Sequence, residues 1–144
     1  MSWECRGLDI GGEAAGDISG SQYKGVKLDS SKKIAACDTA GEVIFGVLQN
    51  NPNAAGKSAS IRTSGVTKMV AGAAVSAVMT ELVVDNTGRC VAAANLEVAS
   101  GTTAVTSTAA NGGILTGSIT PKKIIGVALE TAGAANDVIA VLLK

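Results

Sequence analysis

Histidine is absent from this chain, and with it go the commonest general base at neutral pH and the commonest metal ligand. Aromatic residues are almost as scarce: Trp3, Tyr23 and Phe45 are the only three, 2% of the residues against 47% that are apolar. An aromatic side chain buries roughly 150–250 Å², so a core built from Ala, Val, Ile and Gly forgoes a large share of the usual burial. Part of the stability is therefore expected to come from association. Three scattered rings also make no stacking platform for single-stranded nucleic acid.

Net charge of either sign is missing too, since 12 basic residues balance 12 acidic ones. No long-range field favours nucleic acid or anionic lipid, and the pairs Lys32-Lys33 and Lys122-Lys123 form no basic stripe. The opening Met1-Ser2-Trp3-Glu4-Cys5-Arg6 lacks the charged-then-apolar pattern of a signal peptide. The longest uncharged apolar run, Val70 to Met79, is half of the roughly 20 residues that span a bilayer. Neither a membrane nor a nucleic acid is expected as partner. Cys5, Cys37 and Cys90 are odd in number and lie far apart, which fits a reducing compartment and three separate thiols.

Chemistry finds little to stand on. None of the three thiols has a histidine to activate it, and three scattered cysteines are a poor zinc site. Ala54-Ala55-Gly56-Lys57-Ser58 has the Gly-Lys-Ser of a phosphate loop, but Asn51 stands where the first glycine belongs, and the pattern around it is strand, loop, strand. Asp29, Asp38, Glu42, Asp85 and Asp137 fall in turn clusters, where a carboxylate caps local amides. No catalytic residue, cofactor site or metal site is expected.

What the chain does contain is an echo. Val43-Ile44-Phe45-Gly46-Val47-Leu48 returns eighty positions later as Lys123-Ile124-Ile125-Gly126-Val127-Ala128, and Ala54-Ala55-Gly56-Lys57 as Ala134-Ala135-Asn136-Asp137. Each copy leads into a second apolar stretch, Ala59-Ser60-Ile61 or Ile139-Ala140-Val141, so each reads as strand, loop and returning strand. The divergence of Gly56-Lys57 to Asn136-Asp137 argues that the loop is scaffold, without a phosphate to hold.

Short alternating segments fill much of the rest. Tyr23 to Leu28 and Ile34 to Cys37 flank a turn at Asp29–Lys33, and Ala59–Thr63 and Val66–Val70 flank a bend at Ser64-Gly65. Thr80–Val84 and Arg89–Ala93 enclose the turn Asp85-Asn86-Thr87-Gly88, the clearest hairpin of the chain. Residues 70–82 read as a turn plus short strand or as one short helix. The expected architecture is mainly β: a compact antiparallel barrel or sandwich with little helix. Residues 1–22 are expected to form an extended N-terminal arm, and 23–144 one β-rich domain with a Ser/Thr/Ala/Gly-rich excursion at 95–117.

The order and spacing of these segments resemble the capsid cement, or head decoration, proteins of bacteriophages. The resemblance runs through Gly16-Asp17-Ile18-Ser19, Val26-Lys27-Leu28, Gly46-Val47-Leu48, Gly65-Val66-Thr67-Lys68, Val70-Ala71-Gly72-Ala73-Ala74, Gly88-Arg89 and Ile125-Gly126-Val127-Ala128-Leu129-Glu130. It implies a β-tulip-like fold, a homotrimer, and a place on the outer surface of the mature head at threefold and quasi-threefold sites. The major capsid protein would be the partner, its subunits held together against DNA pressure, and synthesis would take place in the bacterial cytoplasm. Thr80-Glu81 and the Thr-rich excursion depart from the family's pattern. The residues expected to make subunit or capsid contacts are Trp3, Leu8, Ile10 and Ile18 of the arm. The rival from another class is a surface-displayed adhesin or carbohydrate-binding β module, weakened by the shortage of aromatics to stack on sugars.

Overall fold

The computed structural model describes residues 7–93 and 123–144. Trp3, Cys5 and the 95–117 excursion lie outside these residues. Within them, nine strands form one curled antiparallel sheet, a half-barrel. They are β1 (Leu8–Glu13), β2 (Gly25–Leu28), β3 (Ile34–Ala36), β4 (Gly46–Leu48), β5 (Ser58–Val70), β6 (Glu81–Val84), β7 (Cys90–Ala92), β8 (Gly126–Ala128) and β9 (Val138–Leu143). The order across the sheet is β3-β2-β4-β5-β9-β8-β6-β7, with β1 also paired to β5. Among the described residues the single helical element is a 3-10 turn at Ser19–Ser21. The mainly β expectation holds.

The sequence echo is the visible part of a duplication that takes in every described strand. β1 pairs with the first half of β5, Glu13 opposite Ser58, as the second half of β5 pairs with β9, Val70 opposite Val138. The β2–β3 hairpin and its neighbour β4 recur as the β6–β7 hairpin and β8. Many hydrogen bonds outside the ladders repeat at matched positions. Ala14 N–H donates to Lys57 C=O as Ala71 does to Asp137, and Ile18 donates to Pro52 as Val75 does to Ala132. Phe45 donates to Val26 as Ile125 does to Leu82. Left-handed backbone recurs at matched places, in Tyr23 and Met79, Lys32 and Gly88, and Gly56 and Asn136.

Residue spacing then locates a difference between the units. Asp29 and Asp85 are 56 positions apart, whereas Gly46 and Gly126 are 80 apart, so the second unit is 24 residues longer between these points. The extra length falls between β7 and β8, over the stretch that contains the excursion.

Each unit builds its own core from the same positions. Ala14, Ile18, Val26, Ile34, Leu48, Ala59 and Ile61 form one cluster. Ala71, Val75, Leu82, Cys90, Ala128, Ile139 and Val141 stand at the corresponding places in the other. Leu48 with Ala59 becomes Ala128 with Ile139, which inverts large and small while keeping volume, the exchange that cores tolerate best. Cys90 is buried because it holds the place of Ile34. In β5 the inward residues Ala59, Ile61, Thr67 and Met69 alternate with more exposed ones, as a half-buried strand requires.

Several segments differ from their reading in the sequence. Ala59–Thr63 and Val66–Val70 are one strand, carried through the bend by Gly65 at φ +84 with a register shift opposite Leu8/Asp9. Residues 71–80 contain no helix, and Ala71 and Val75 make single bridges to Cys90 and Ala132. The described part of the expected arm belongs to the fold. Leu8–Glu13 is a sheet strand, and Ile18 is a core residue, only 6% exposed, so it is not available for the partner contact expected of it.

The two units meet along a joint made of backbone. Val70 N–H donates to Tyr23 C=O at 2.9 Å, Gly25 to Gly88 at 2.7 Å and Gly41 to Val84 at 2.8 Å. Val47, from the first unit, enters the core of the second, and Ile44 packs against it.

Candidate interaction surface

Among the described residues, several side chains that could carry chemistry hold turns instead. Asp85 Oδ1 accepts from the amides of Thr87 at 2.8 Å and Arg89 at 3.0 Å, while Oδ2 pairs with Arg89 Nε at 2.8 Å. Burial pushes this carboxyl up, but the hydrogen bonds from Thr87 and Arg89 outweigh it and hold the group below the usual carboxylate range. Asp29 repeats the arrangement with the amides of Ser31 and Lys33. Burial pushes the Cys37 and Cys90 thiols up to about 12, so both are protonated at neutral pH and inert as nucleophiles. Among the described residues no group of three His, Cys, Asp or Glu could hold a metal ion. Gly56-Lys57-Ser58 leads into β5, a strand, so no helix N-terminus faces its loop.

What the fold does offer is surface, beginning at β1. Leu8 and Ile10 are 59% and 37% exposed on this strand. The strand is fastened at both ends by ion pairs. Asp9 receives two hydrogen bonds from Arg62, Nε at 2.7 Å and Nη2 at 2.9 Å, and Arg62 Nη1 also donates to Val66 C=O across the bend. The hydrogen bond from Arg62 holds the Asp9 carboxyl below its ordinary pKa. Lys33 Nζ lies 2.6 Å from Glu13 Oε1 at the other end. Leu8 and Ile10 are thus presented on a pinned strand; Trp3, the anchor expected beside them, lies outside the described residues.

Two further apolar sites escaped the sequence reading. Val78 and Met79, 57% and 66% exposed, sit before β6, and Leu28 at the end of β2 is 44% exposed. Val78 and Met79 belong to an Ala-rich run whose pattern marks no face, and Leu28 ends a regular strand; only the joint between units sets them apart.

A shallow groove lies where the echoed segments approach one another, its apolar walls Ile44, Phe45, Ile124 and Ile125 edged by Lys123 and Lys144. Two of its sides are the same strand entry in the two units, Ile44-Phe45 and Ile124-Ile125.

No protein-family model matches this chain, and no curated protein does. Among solved structures, the chain is similar to the head fibre gp8.5 N base of bacteriophage phi29. The TM-score is 0.58 at 12% identity, over 95% of this chain and 93% of the other. Identity that low makes the likeness one of fold.

Proposed function

We propose that this protein is a non-enzymatic structural component of a phage virion that binds the outside of the mature head. In this reading it sits as a homotrimer at threefold and quasi-threefold sites and stabilises contacts between major capsid subunits. The observation that carries the proposal is the fold likeness to the base of a phage head fibre, which extends over almost the whole of both chains. The segment order that resembles cement proteins supports it separately.

Physical considerations agree. A neutral, aromatic-poor chain gains by burying its exposed apolar residues in an assembly, and several linked footprints convert modest contacts into avidity. Leu8 and Ile10 on the pinned β1 are the capsid-contact residues of this proposal, together with Trp3. Such a role needs no reactive group. It needs surfaces held rigidly in place, which the doubled β scaffold provides.

The test is to mix purified protein with expanded heads that lack it, and to image them. Density at the threefold sites, and heads that survive a higher temperature or lower ionic strength, are the expected result. Heads that stay bare at micromolar protein overturn the proposal.

A further inference from the structure

We infer that copies of this protein bind one another head to tail, by repeating between chains the joint that the two units make within one chain. The inference names surfaces for the self-association proposed above, but it stands on the duplication alone and does not need the head.

The internal joint is heterologous. Its receiving side is in the first unit, at Tyr23 and Gly25, and its inserting side is in the second, at Val70, Val84 and Gly88. A two-fold joint would use the matching residues of the opposite units as well, bringing Glu13 to Met79 and Lys32 to Glu81. Those residues are exposed instead. One receiving side and one inserting side therefore remain open in every chain, and a heterologous contact with both ends open propagates into a ring or a filament.

Exposure at matched positions shows the two open sides directly. Val84, on the inserting side, is 1% exposed, while its counterpart Leu28 is 44% exposed. Gly88 is buried and its counterpart Lys32 is exposed. On the receiving side Gly25 is buried and Glu81 is exposed, and Met79 is far more open than the half-buried Tyr23. Every one of these differences has the sign expected when one copy of the joint is filled and its two complements are empty.

The open sides also suit each other chemically. Within the chain the approach is so close that a Cβ on Gly88 would overlap Gly25 C=O. Between chains that place is taken by Lys32 and Glu81, so the backbones stand further apart and opposite charges face each other across the gap. Leu28 goes to the receiving side beside Glu81, as Val84 lies against Gly25 within the chain. The hydrogen bond from Val70 to Tyr23 becomes one from Glu13 N–H of one copy to Met79 C=O of the next.

The mass of the free protein in solution, without heads, tests this. The wild type is expected to sediment as an oligomer at micromolar concentration. Leu28→Asp and Met79→Asp, each with one side spoiled, are expected to sediment as monomers with unchanged circular dichroism. An equimolar mixture of the two gives a one-to-one dimer, because each keeps the side that the other lost. Charge exchange in the double variant Lys32→Glu/Glu81→Lys restores the assembly that either single variant weakens. A cross-link checks the geometry independently of stability. Hydrogen-bonded backbones bring Cα atoms to roughly 5 Å, within disulfide reach. Glu13→Cys/Met79→Cys, in a Cys5→Ser background, then forms a ladder of linked chains under oxidation that neither single cysteine forms. A monomeric wild type, a mixture that stays monomeric, or an absent ladder overturns the inference, and none of these outcomes bears on whether heads are bound.

Discussion

Gly46 and Gly126 hold the same place in two copies of one unit, each with its Cα pressed against the backbone of the next strand. A methyl on Gly46 would lie 2.5 Å from Arg62 C=O, and one on Gly126 would overlap Leu142 C=O. Neither neighbour can yield without breaking a ladder. Gly46→Ala and Gly126→Ala are each expected to destabilise by about 3 kcal/mol or more, the upper range of overpacking, in urea denaturation. Gly20→Ala, whose Cβ meets nothing within 4 Å, is the control and should stay within about 0.5 kcal/mol of wild type.

Acid should unfold the protein more readily than neutral conditions, and the sign follows from its carboxylates. Hydrogen bonds hold Asp9 and Asp38 below their ordinary pKa; at Glu42 and Asp85 burial opposes them but loses. A folded pKa below the unfolded one gives stability that is complete above the unfolded value, about 4, and is lost as pH falls through the folded value. Lys27 and Lys33, raised by the hydrogen bonds they donate to carboxylates, act oppositely and lose their contribution as pH rises above 10.5. Denaturation midpoints measured from pH 2 to pH 11 should show a plateau with a fall at each end. In Asp85→Asn the acid limb should be shallower.

Arg62 joins β1 to the bend of β5 through Asp9 and Val66, so its loss should act locally. Arg62→Ala is expected to cost about 1 kcal/mol globally, given the partial exposure of the pair. It should raise hydrogen exchange of the β1 amides well above that of β9, which keeps its ladder. Equal change in the two strands would show that the pairing is not what holds β1.

Thiol titration reads the core clusters. With Cys37 and Cys90 buried and protonated, native protein at pH 8 should release no more than one equivalent of nitrothiobenzoate, from Cys5. All three cysteines should react in denaturant. Fast reaction of two thiols in the native state would contradict the burial of Cys37 or Cys90.

Ile18 and Leu8 should separate folding from binding. Ile18→Asp places a charge in a closed core and is expected to unfold the protein or cost at least about 3 kcal/mol. Leu8→Asp and Ile10→Asp should leave the melting temperature within a few degrees. If β1 faces the capsid, their head binding falls at least tenfold.

Much of this arrangement was legible in the chain. The Asp85–Arg89 turn could be read because Asp, Gly and flanking β-branched residues each state a local backbone requirement. The echo of Val43–Lys57 in Lys123–Asp137 could be read because Gly46 and Gly126 are sterically compelled and their neighbours fill core positions.

Other parts could not be read. Leu8–Glu13 and Gly65–Val70 are the same strand of the two units, yet LDIGGE and GVTKMV do not share a residue at matched positions. Strand pairing is made by peptide groups that every residue carries, so pairing partners leave no mark on side-chain identity beyond a rough in-and-out alternation. For the same reason Ile18, among glycines and polar residues, gave no sign of being core. It becomes core because Ile18 N–H is tied to Pro52 C=O and Ala15 N–H to Ile34 C=O. The sequence alone determined a β scaffold with a repeated piece. Tertiary structure decided that the repeat takes in every described strand and that its two units join asymmetrically, because only long-range backbone hydrogen bonds distinguish a filled joint from an open one.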